Sequence, residues 1–330
     1  MSEPSAVADG FPAMNIQMTS PTCALSVYPL RFSFIARDAV HFPEGQASNI
    51  LRGAFGTIFR RLACDPQCPG AKQCDRRASC AYARVFEPGA ATDASTGYGD
   101  WPRPFVFRST HLEGQTVRAG EPFHFGLNLF DTHVPAALFF ALSFAEISRD
   151  GLGPSRGRAD LTSVSQLDEL GAPVACVFDG AAPGPTAPPL VIPLDPREER
   201  VERIVVRFVT PTELKGAGAL AARPEFGVLL PRLRDRISAL NKLYGDGPLP
   251  AESRAFAARA AAIKMTRCEV SHVGRWRRSS RTGAVHPLGG FVGEAEYCGD
   301  LAEFLPYLRA GKWTGVGRQT TWGKGDLAIP

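Results

Sequence analysis

Four cysteines lie within one short stretch of this 330-residue chain. They sit in a segment rich in proline, glycine and charge, with three, five and five residues between them: Cys64, Cys68, Cys74 and Cys80. Four thiolates hold one ion tetrahedrally and can staple a segment that is too polar to form its own core. The pattern predicts a structural zinc site. Four thiolates also suit an iron–sulfur cluster, and because the Cys-x2-Cys knuckle of zinc ribbons is missing, both stay open.

Disulfide bonds are the alternative use of these cysteines. The first residues lack the basic start and apolar run of a signal peptide, and no stretch has the roughly 20 apolar residues of a membrane span. We therefore expect a cytoplasmic protein without membrane contact, in which thiols stay reduced. Four protein ligands would leave the metal no open position for catalysis.

A second stretch concentrates positive charge around an indole ring. Between residues 275 and 281, Trp276 stands among four arginines: Arg275, Arg277, Arg278 and Arg281. Guanidinium groups bind phosphates bidentately and stack on bases, so this cluster predicts binding of structured RNA. The net charge of the whole chain is only +4, so the prediction depends on local clustering. A solvent-exposed edge strand, kept from pairing by its charges, is the alternative.

Two Gly-x-Gly pairs close to the C-terminus form a third stretch. They and two cations are expected to hold a polyanion: Gly315, Gly317, Arg318, Gly323, Lys324 and Gly325. Glycine adopts positive φ and lets other groups come close to the backbone. The spacing matches neither a Walker loop nor a dinucleotide fingerprint, so a tight turn before the last strand is the alternative.

The elements that would position these residues follow a repeated order. Alternating or helically spaced apolar residues predict a strand, a helix, two strands and a helix: 26–36, 47–62, 101–107, 123–129 and 134–148. A similar order follows at 202–212, 226–243, 265–276, 290–297 and 301–308, with a last strand over 322–329. This order is typical of ferredoxin-like domains. We expect an α+β fold of tandem ferredoxin-like (RRM-like) domains with a Cys-rich metal-binding insertion and a C-terminal glycine-rich loop.

Composition suggests the following division of the chain. The predicted parts are a flexible leader (1–20), an N-terminal domain (21–180) with the Cys-rich insertion (63–82), a Pro-rich linker (181–199), and a C-terminal domain (200–330) with the glycine-rich loop (315–325).

Several motifs resemble the CRISPR-associated protein six family, the endoribonucleases that process CRISPR repeat RNA. They are Gly289-Gly-Phe-Val-Gly293, Gly299-Asp-Leu, Phe304-Leu-Pro-Tyr-Leu and the glycine-rich loop. Gly151-Leu-Gly with Arg156-Gly-Arg158 also resembles a segment of that family. Such a loop near the C-terminus marks the RAMP superfamily, to which the family belongs. The resemblance spans nearly the whole chain and is strongest after residue 289.

The resemblance implies metal-independent attack of the RNA 2′-hydroxyl on the adjacent phosphodiester, which leaves a cyclic phosphate and a 5′-hydroxyl. Such chemistry needs a base, an acid and a cation. His41 lies in the loop where the family often places its catalytic histidine, although a lone loop histidine is more often a surface residue. Arg52 follows on the next helix as a cationic partner, and His272, beside the arginine cluster, is the competing histidine.

The remaining polar candidates have lesser predicted roles. A turn is favoured for His286, and structural positions for His111, His124 and His133. Arg318, Lys324 and Tyr297 are auxiliary candidates.

The resemblance also implies CRISPR repeat RNA as the partner, with other Cas proteins of an effector complex and no direct contact with DNA. Two alternatives remain. A non-catalytic RAMP subunit would bind guide RNA without cutting it, and a metalloprotein unrelated to RNA would use the cysteine cluster as its centre.

Overall fold

The computed structural model describes most of the chain. The described residues are 23–70, 73–90, 101–133, 136–196, 200–216, 218–250, 253–274, 276–278, 285–287 and 289–329. The predicted leader therefore lies outside the described residues. None of the described helices is long and apolar enough to cross a membrane.

The first half is built on an antiparallel sheet. Its strands are β1 (Ala24–Ala36), β3 (Phe105–Arg108), β5 (Pro122–Leu129), β6 (Ala159–Leu167), β7 (Pro173–Phe178) and β8 (Leu190–Pro193). They lie in the order β3-β5-β1-β6-β7, and β8 also pairs with β1. A two-stranded pair, β2 (Val40–His41) with β4 (Thr116–Val117), stands beside this sheet. The helices are α1 (Ala47–Ala63), α2 (Ala81–Val85), α3 (Ala137–Ala145) and α4 (Ile147–Asp150).

Phenylalanine rings fill the core of the first half. Along β1, Phe32 and Phe34 are buried and alternate with residues on the opposite face of the sheet. Their rings pack against Phe144 of α3. Phe55 of α1 stacks on Phe140 of α3 with ring centroids 3.9 Å apart. The sheet and the two helices are thus joined by one aromatic core, which fixes α1 against the sheet.

The second half has a four-stranded antiparallel sheet in the order β12-β15-β9-β16. Its strands are β9 (Arg203–Thr212), β12 (Lys264–Val273), β15 (Gly290–Cys298) and β16 (Leu327–Ala328). Two further pairs are β10 (Lys215–Gly216) with β11 (Ala219–Leu220) and β13 (Trp276–Arg278) with β14 (Val285–Pro287). Three helices complete this half: α5 (Phe226–Tyr244), α6 (Ser253–Ala262) and α7 (Leu305–Thr314).

The two halves share buried apolar residues. Val27, Val106 and Phe130 of the first half are buried within the same hydrophobic cluster as Leu229 and Trp313 of the second. Burying apolar surface between the halves stabilises their contact and holds the residues beside it in place.

Some elements differ from their sequence prediction. The Pro-rich stretch predicted as a linker contains β8, whose Ile192 is buried. The helix predicted over 301–308 instead spans Leu305–Thr314, and Pro306 suits its first turn because proline lacks the backbone N–H that would have no partner there. The last strand is only two residues long, because Gly323 and Gly325 adopt positive φ, which no strand accommodates.

Candidate functional site

His41 lies on the short strand β2, immediately before α1, and its side chain is exposed. Its Nδ1 is in a hydrogen bond with Thr116 Oγ1 at 2.9 Å. Thr116 lies on β4, directly opposite His41 in the register of this pair. The ring is thereby oriented, and Nε2 is the nitrogen left available for proton transfer.

A turn rich in glycine and arginine lies against the His41 strand. A Cβ on Gly153 would stand 3.0 Å from the carbonyl oxygen of His41, and one on Gly157 would stand 2.3 Å from that of Ala39. Arg156, in the same turn, is exposed and adopts φ 53°. Arg158 is paired with Asp38, its Nε 2.7 Å from the carboxylate. Hydrogen bonds from Arg158 lower the pKa of Asp38.

Arg156 is a candidate cation that sequence reasoning did not single out. Its backbone N–H donates to the carbonyl of Gly153, which itself approaches His41. The signal was present in the motif Gly151-Leu-Gly…Arg156-Gly-Arg158. What the sequence did not show is that this turn folds back onto the strand carrying His41.

Arg52 is only 9% exposed. Its guanidinium carbon lies 4.7 Å from the ring centroid of Phe86 and 4.8 Å from that of Trp322. Stacking between two rings is a stable position for a planar cation. It favours a role in holding the glycine-rich loop against α1, rather than the phosphate-stabilising role predicted from the sequence.

All four glycines of the two Gly-x-Gly pairs adopt positive φ, between 64° and 79°. Three of them also have no room for a side chain. A Cβ would stand 2.3 Å from Glu213 O at Gly317, 2.3 Å from Ser48 Oγ at Gly323, and 1.9 Å from Val316 O at Gly325. Glycine is therefore required for the shape of the loop and for its contact with α1.

The two cations of the loop are differently placed. Arg318 is 57% exposed, and its Nη1 pairs with Glu213 at 2.5 Å. Lys324 is only 4% exposed. Of the two cations predicted for the loop, only Arg318 is exposed, which differs from the predicted pair of cationic side chains.

Side chains from both halves donate hydrogen bonds to the last carbonyls of α7, immediately before the glycine-rich loop. Arg108 Nη2 donates to the carbonyl of Trp313 at 3.1 Å, and Asn128 Nδ2 donates to the same carbonyl at 2.9 Å. Arg236 Nε of α5 donates to Thr314 O at 2.9 Å. Burial, reinforced by the charge of Arg108, lowers the pKa of Arg236 to about 9. Arg236 therefore remains cationic at neutral pH, and both arginines satisfy carbonyls that a helix leaves unpaired.

His272 lies on β12, at an edge of the second sheet, and is exposed. Its Nε2 donates to Ala222 O at 2.9 Å, and its ring meets Phe291 edge-on. His272 pairs with Phe291 of β15, and Phe291 pairs with Thr212 of β9. The backbone of His272 is therefore two strand spacings, roughly 10 Å, from that of Thr212. Among the described residues no contact joins it to His41, so the two histidines are alternatives.

The arginine cluster is only partly described. Arg277 and Arg278 belong to β13, which pairs with β14 so that Arg277 stands opposite His286. Arg275 and Arg281 lie outside the described residues. Trp276 is 67% exposed. An indole ring so exposed on a strand is available to stack on a base.

Other candidates are engaged in the fold. His111 Nε2 donates to His124 O at 2.8 Å, and His133 Nε2 donates to Gly245 O at 2.8 Å. The auxiliary role considered for Tyr297 is wrong, because this side chain is fully buried and its hydroxyl donates to Pro224 O.

The four clustered cysteines line one cavity of about 90 Å³. They form no disulfide. Burial, followed by the neighbouring thiols, raises the pKa of Cys64 to about 12. Within the described part of the chain, no group of three or more His, Cys, Asp or Glu side chains is already arranged to hold a metal ion.

Comparison with family models divides the chain in the same way as the two sheets do. Residues 206–327 match the model of the CRISPR-associated endoribonuclease Cas6. Residues 25–188 match a second model, AF_1859_N, described as an N-terminal domain. A comparison with curated proteins found no match.

Solved structures share the fold at low sequence identity. Thermus thermophilus Cas6 (TTHB231) is 15% identical, with a TM-score of 0.53 over 94% of this chain and 100% of that chain. A Cas6 (TTHB231) product complex gives the same identity and TM-score, over 92% and 99%. A partial Cas6-RT-Cas1–Cas2 complex is 11% identical, with a TM-score of 0.52 over 94% of this chain and 47% of that chain. Residues 206–327 therefore belong to the CRISPR-associated endoribonuclease Cas6 family, and the chain shares its tandem ferredoxin-like fold with solved Cas6 structures.

Proposed function

We propose that this protein is an endoribonuclease that cuts CRISPR repeat RNA without a metal ion in the reaction. Membership of the Cas6 family supports the class of activity. The observation that carries the proposal is His41: it is exposed at the start of α1 and oriented by Thr116, with Nε2 available for proton transfer.

The proposed reaction uses the substrate's own nucleophile. The 2′-hydroxyl oxygen attacks the adjacent phosphorus, the bond to the 5′-oxygen breaks, and a cyclic phosphate and a 5′-hydroxyl result. The proton lost by the 2′-hydroxyl must go to a base, and the leaving oxygen must gain one. His41 Nε2 serves one of these steps. Because the nucleophile is already part of the RNA, no metal-bound water is needed to supply it.

Charge on the phosphorane needs a stabilising group close to His41. Arg156 supplies an exposed cation in the turn that lies against the His41 strand. In the glycine-rich loop, positive-φ residues, among them Gln319 at 63°, are interspersed with residues of ordinary φ. Backbone of this kind turns N–H groups toward an anion. We assign the loop to RNA phosphates through its backbone, and Arg156 to the scissile phosphate.

The arginine hairpin, β13 with β14, extends the binding surface. Its exposed Trp276 suits stacking on an unpaired base, and its arginines suit phosphates. We also propose that the protein works with other Cas proteins, a role supported by the solved complex in which a Cas6 fold is joined to Cas1 and Cas2.

A second candidate function is a non-cutting RAMP subunit that holds guide RNA. The observation that favours it is the burial of Arg52 and Lys324, which removes two of the cations predicted for the site. This second candidate function would use the same RNA-binding surface as the first. The two functions differ only in whether His41 transfers a proton.

Incubation of the purified protein with labelled repeat RNA of its own host, in excess EDTA, separates the two. We expect one discrete cut with a cyclic phosphate end. His41→Ala should lower the cleavage rate by about 10²- to 10⁴-fold with RNA affinity unchanged, and His272→Ala should retain the rate. Loss of cleavage only in His272→Ala would move the proton-transfer role to that residue. RNA that shifts in a gel but stays intact with the unaltered protein would instead support the guide-binding subunit.

A further inference from the structure

The segment 64–80 folds without an apolar core of its own. Among its described residues only six are half-buried rather than exposed, and four of these are the cysteines: Cys64, Cys68, Gly70, Cys74, Arg77 and Cys80. No regular element longer than one 3₁₀ turn occurs in it. The groups that face inward are therefore thiols and one guanidinium, and burial of apolar side chains does not account for its shape.

The four thiols of the segment border the same small cavity of about 90 Å³. With a zinc–sulfur distance of about 2.3 Å, tetrahedral geometry puts neighbouring sulfurs about 3.8 Å apart. Among the described residues no three such groups are already at that spacing, so binding of the ion would draw the four sulfurs together around the cavity. Cys74 borders the same cavity and provides the fourth sulfur.

The charge around the cavity fits an anionic centre. Four thiolates and one Zn²⁺ carry a net charge of −2. The guanidinium-bearing residues Arg60 and Arg77 line the cavity with the cysteines, and Arg60 Nη2 also reaches the carbonyl of Cys68 at 3.5 Å. Glu87 also lines the cavity, so the two cations exceed its single negative charge, and beside a four-thiolate zinc centre they would offset part of the charge of that centre.

We propose that Cys64, Cys68, Cys74 and Cys80 bind one Zn²⁺ as a structural site. The four thiols lose their protons when the ion binds, and no redox change takes place. Ordering of the segment is then coupled to binding of the ion, as in other small metal-stapled segments. Four protein ligands close the coordination shell, so the ion takes no part in RNA cleavage.

The position of the site gives it a consequence at the glycine-rich loop. Cys64 caps the end of α1 and Cys80 the start of α2, so an ion bound by both fixes one helix against the other. At the end of α2, Phe86 stacks on Arg52, and Arg52 stacks on Trp322 of the loop. Loss of zinc should therefore loosen the loop and lower the rate of RNA cleavage by a few fold. This expected effect on cleavage rests on the proposed function, whereas the metal site itself does not.

Metal analysis of the full-length protein, purified without added metal, tests the site independently of RNA. We expect about one zinc per chain in the unaltered protein and in Cys176→Ser, a matched control at an exposed cysteine outside the cluster. Cys64→Ser and Cys74→Ser should lose most of the zinc and melt at a lower temperature. Replacement of zinc by Co²⁺ should produce the strong visible absorption of tetrahedral cobalt with sulfur ligands.

Three outcomes would overturn the proposal. One is a protein with less than a tenth of a zinc per chain that also fails to bind Co²⁺. Another is iron with acid-labile sulfide, which would make the centre an iron–sulfur cluster. A third is a full zinc content in Cys74→Ser. If Cys64→Ser does not fold, the zinc content of Cys74→Ser and the Co²⁺ spectrum of the unaltered protein still decide whether the four cysteines bind zinc. A zinc-loaded protein that leaves RNA intact would refute only the nuclease.

Discussion

The glycine-rich loop and the arginine hairpin both carry glycine or cationic residues that predict RNA binding, but they are built in opposite ways. In the loop, Lys324 is buried and Gly323 leaves no room between its backbone and Ser48 of α1. In the hairpin, Trp276 is 67% exposed on a two-stranded pair at the surface. The loop is held by the packing of both halves, whereas Trp276 of the hairpin projects into solvent.

The contrast shows how each region can contribute to binding. A buried loop contributes through backbone groups whose position depends on the fold, so its substitutions should change stability and cleavage together. An exposed hairpin contributes through individual side chains, so its substitutions should change RNA affinity and leave the fold intact.

The largest expected effect is that of Gly325→Ala. The residue adopts φ 70°, and the new Cβ would stand 1.9 Å from Val316 O, so the loop must shift. We expect the free energy of unfolding to fall by more than about 2 kcal/mol and cleavage to be lost. Gly120→Ala is the matched control: its φ is 86°, but nothing lies within 4 Å, so backbone strain alone should cost about 1 kcal/mol. Equal destabilisation of the two variants in urea unfolding would refute the packed loop.

Trp276→Ala should have the next largest effect, on affinity alone. Stacking of a base on an aromatic ring contributes about 1–3 kcal/mol, so RNA affinity should fall about 5- to 150-fold. The melting temperature should stay the same because the side chain is exposed. Leu170→Ala, at an exposed residue of the first half, serves as the control. Unchanged affinity of Trp276→Ala for repeat RNA would show that the hairpin is not part of the binding surface.

Arg318→Gln should have the smallest effect. Its guanidinium is exposed and already paired with Glu213, and an exposed ion pair contributes at most about 1 kcal/mol. If the loop binds phosphates through its backbone, the salt dependence of RNA affinity should keep its slope. A slope smaller by about one would show instead that Arg318 contacts a phosphate directly.

The sequence predicted the type and order of the main elements because apolar periodicity is a local property. The alternation of Phe32 and Phe34 along β1 and the glycines at positive φ are examples. Element ends were less predictable. We predicted a longer final strand. The contact of Gly323 with Ser48, which belongs to a distant helix, could not be predicted from the residues near 323.

Side-chain exposure at the site could not be predicted in the same way. Arg52, Lys324 and Tyr297 have chemically suitable groups, and nothing in their neighbours along the chain shows that all three are buried. Burial of Arg52 depends on two rings, Phe86 and Trp322, that are far from it in sequence. For the same reason Arg156 was missed, since its closeness to His41 arises only when the turn folds back.

The central claim is that the RNA supplies its own nucleophile and that His41 moves a proton for it. A repeat RNA with a single 2′-deoxynucleotide at the cut position tests this most directly, in EDTA, beside the same RNA with its 2′-hydroxyl intact. The deoxy RNA should bind with unchanged affinity and remain uncut, while the intact RNA yields a cyclic phosphate. Cleavage of the deoxy RNA at the same position would contradict the account, because the attacking oxygen would then come from elsewhere.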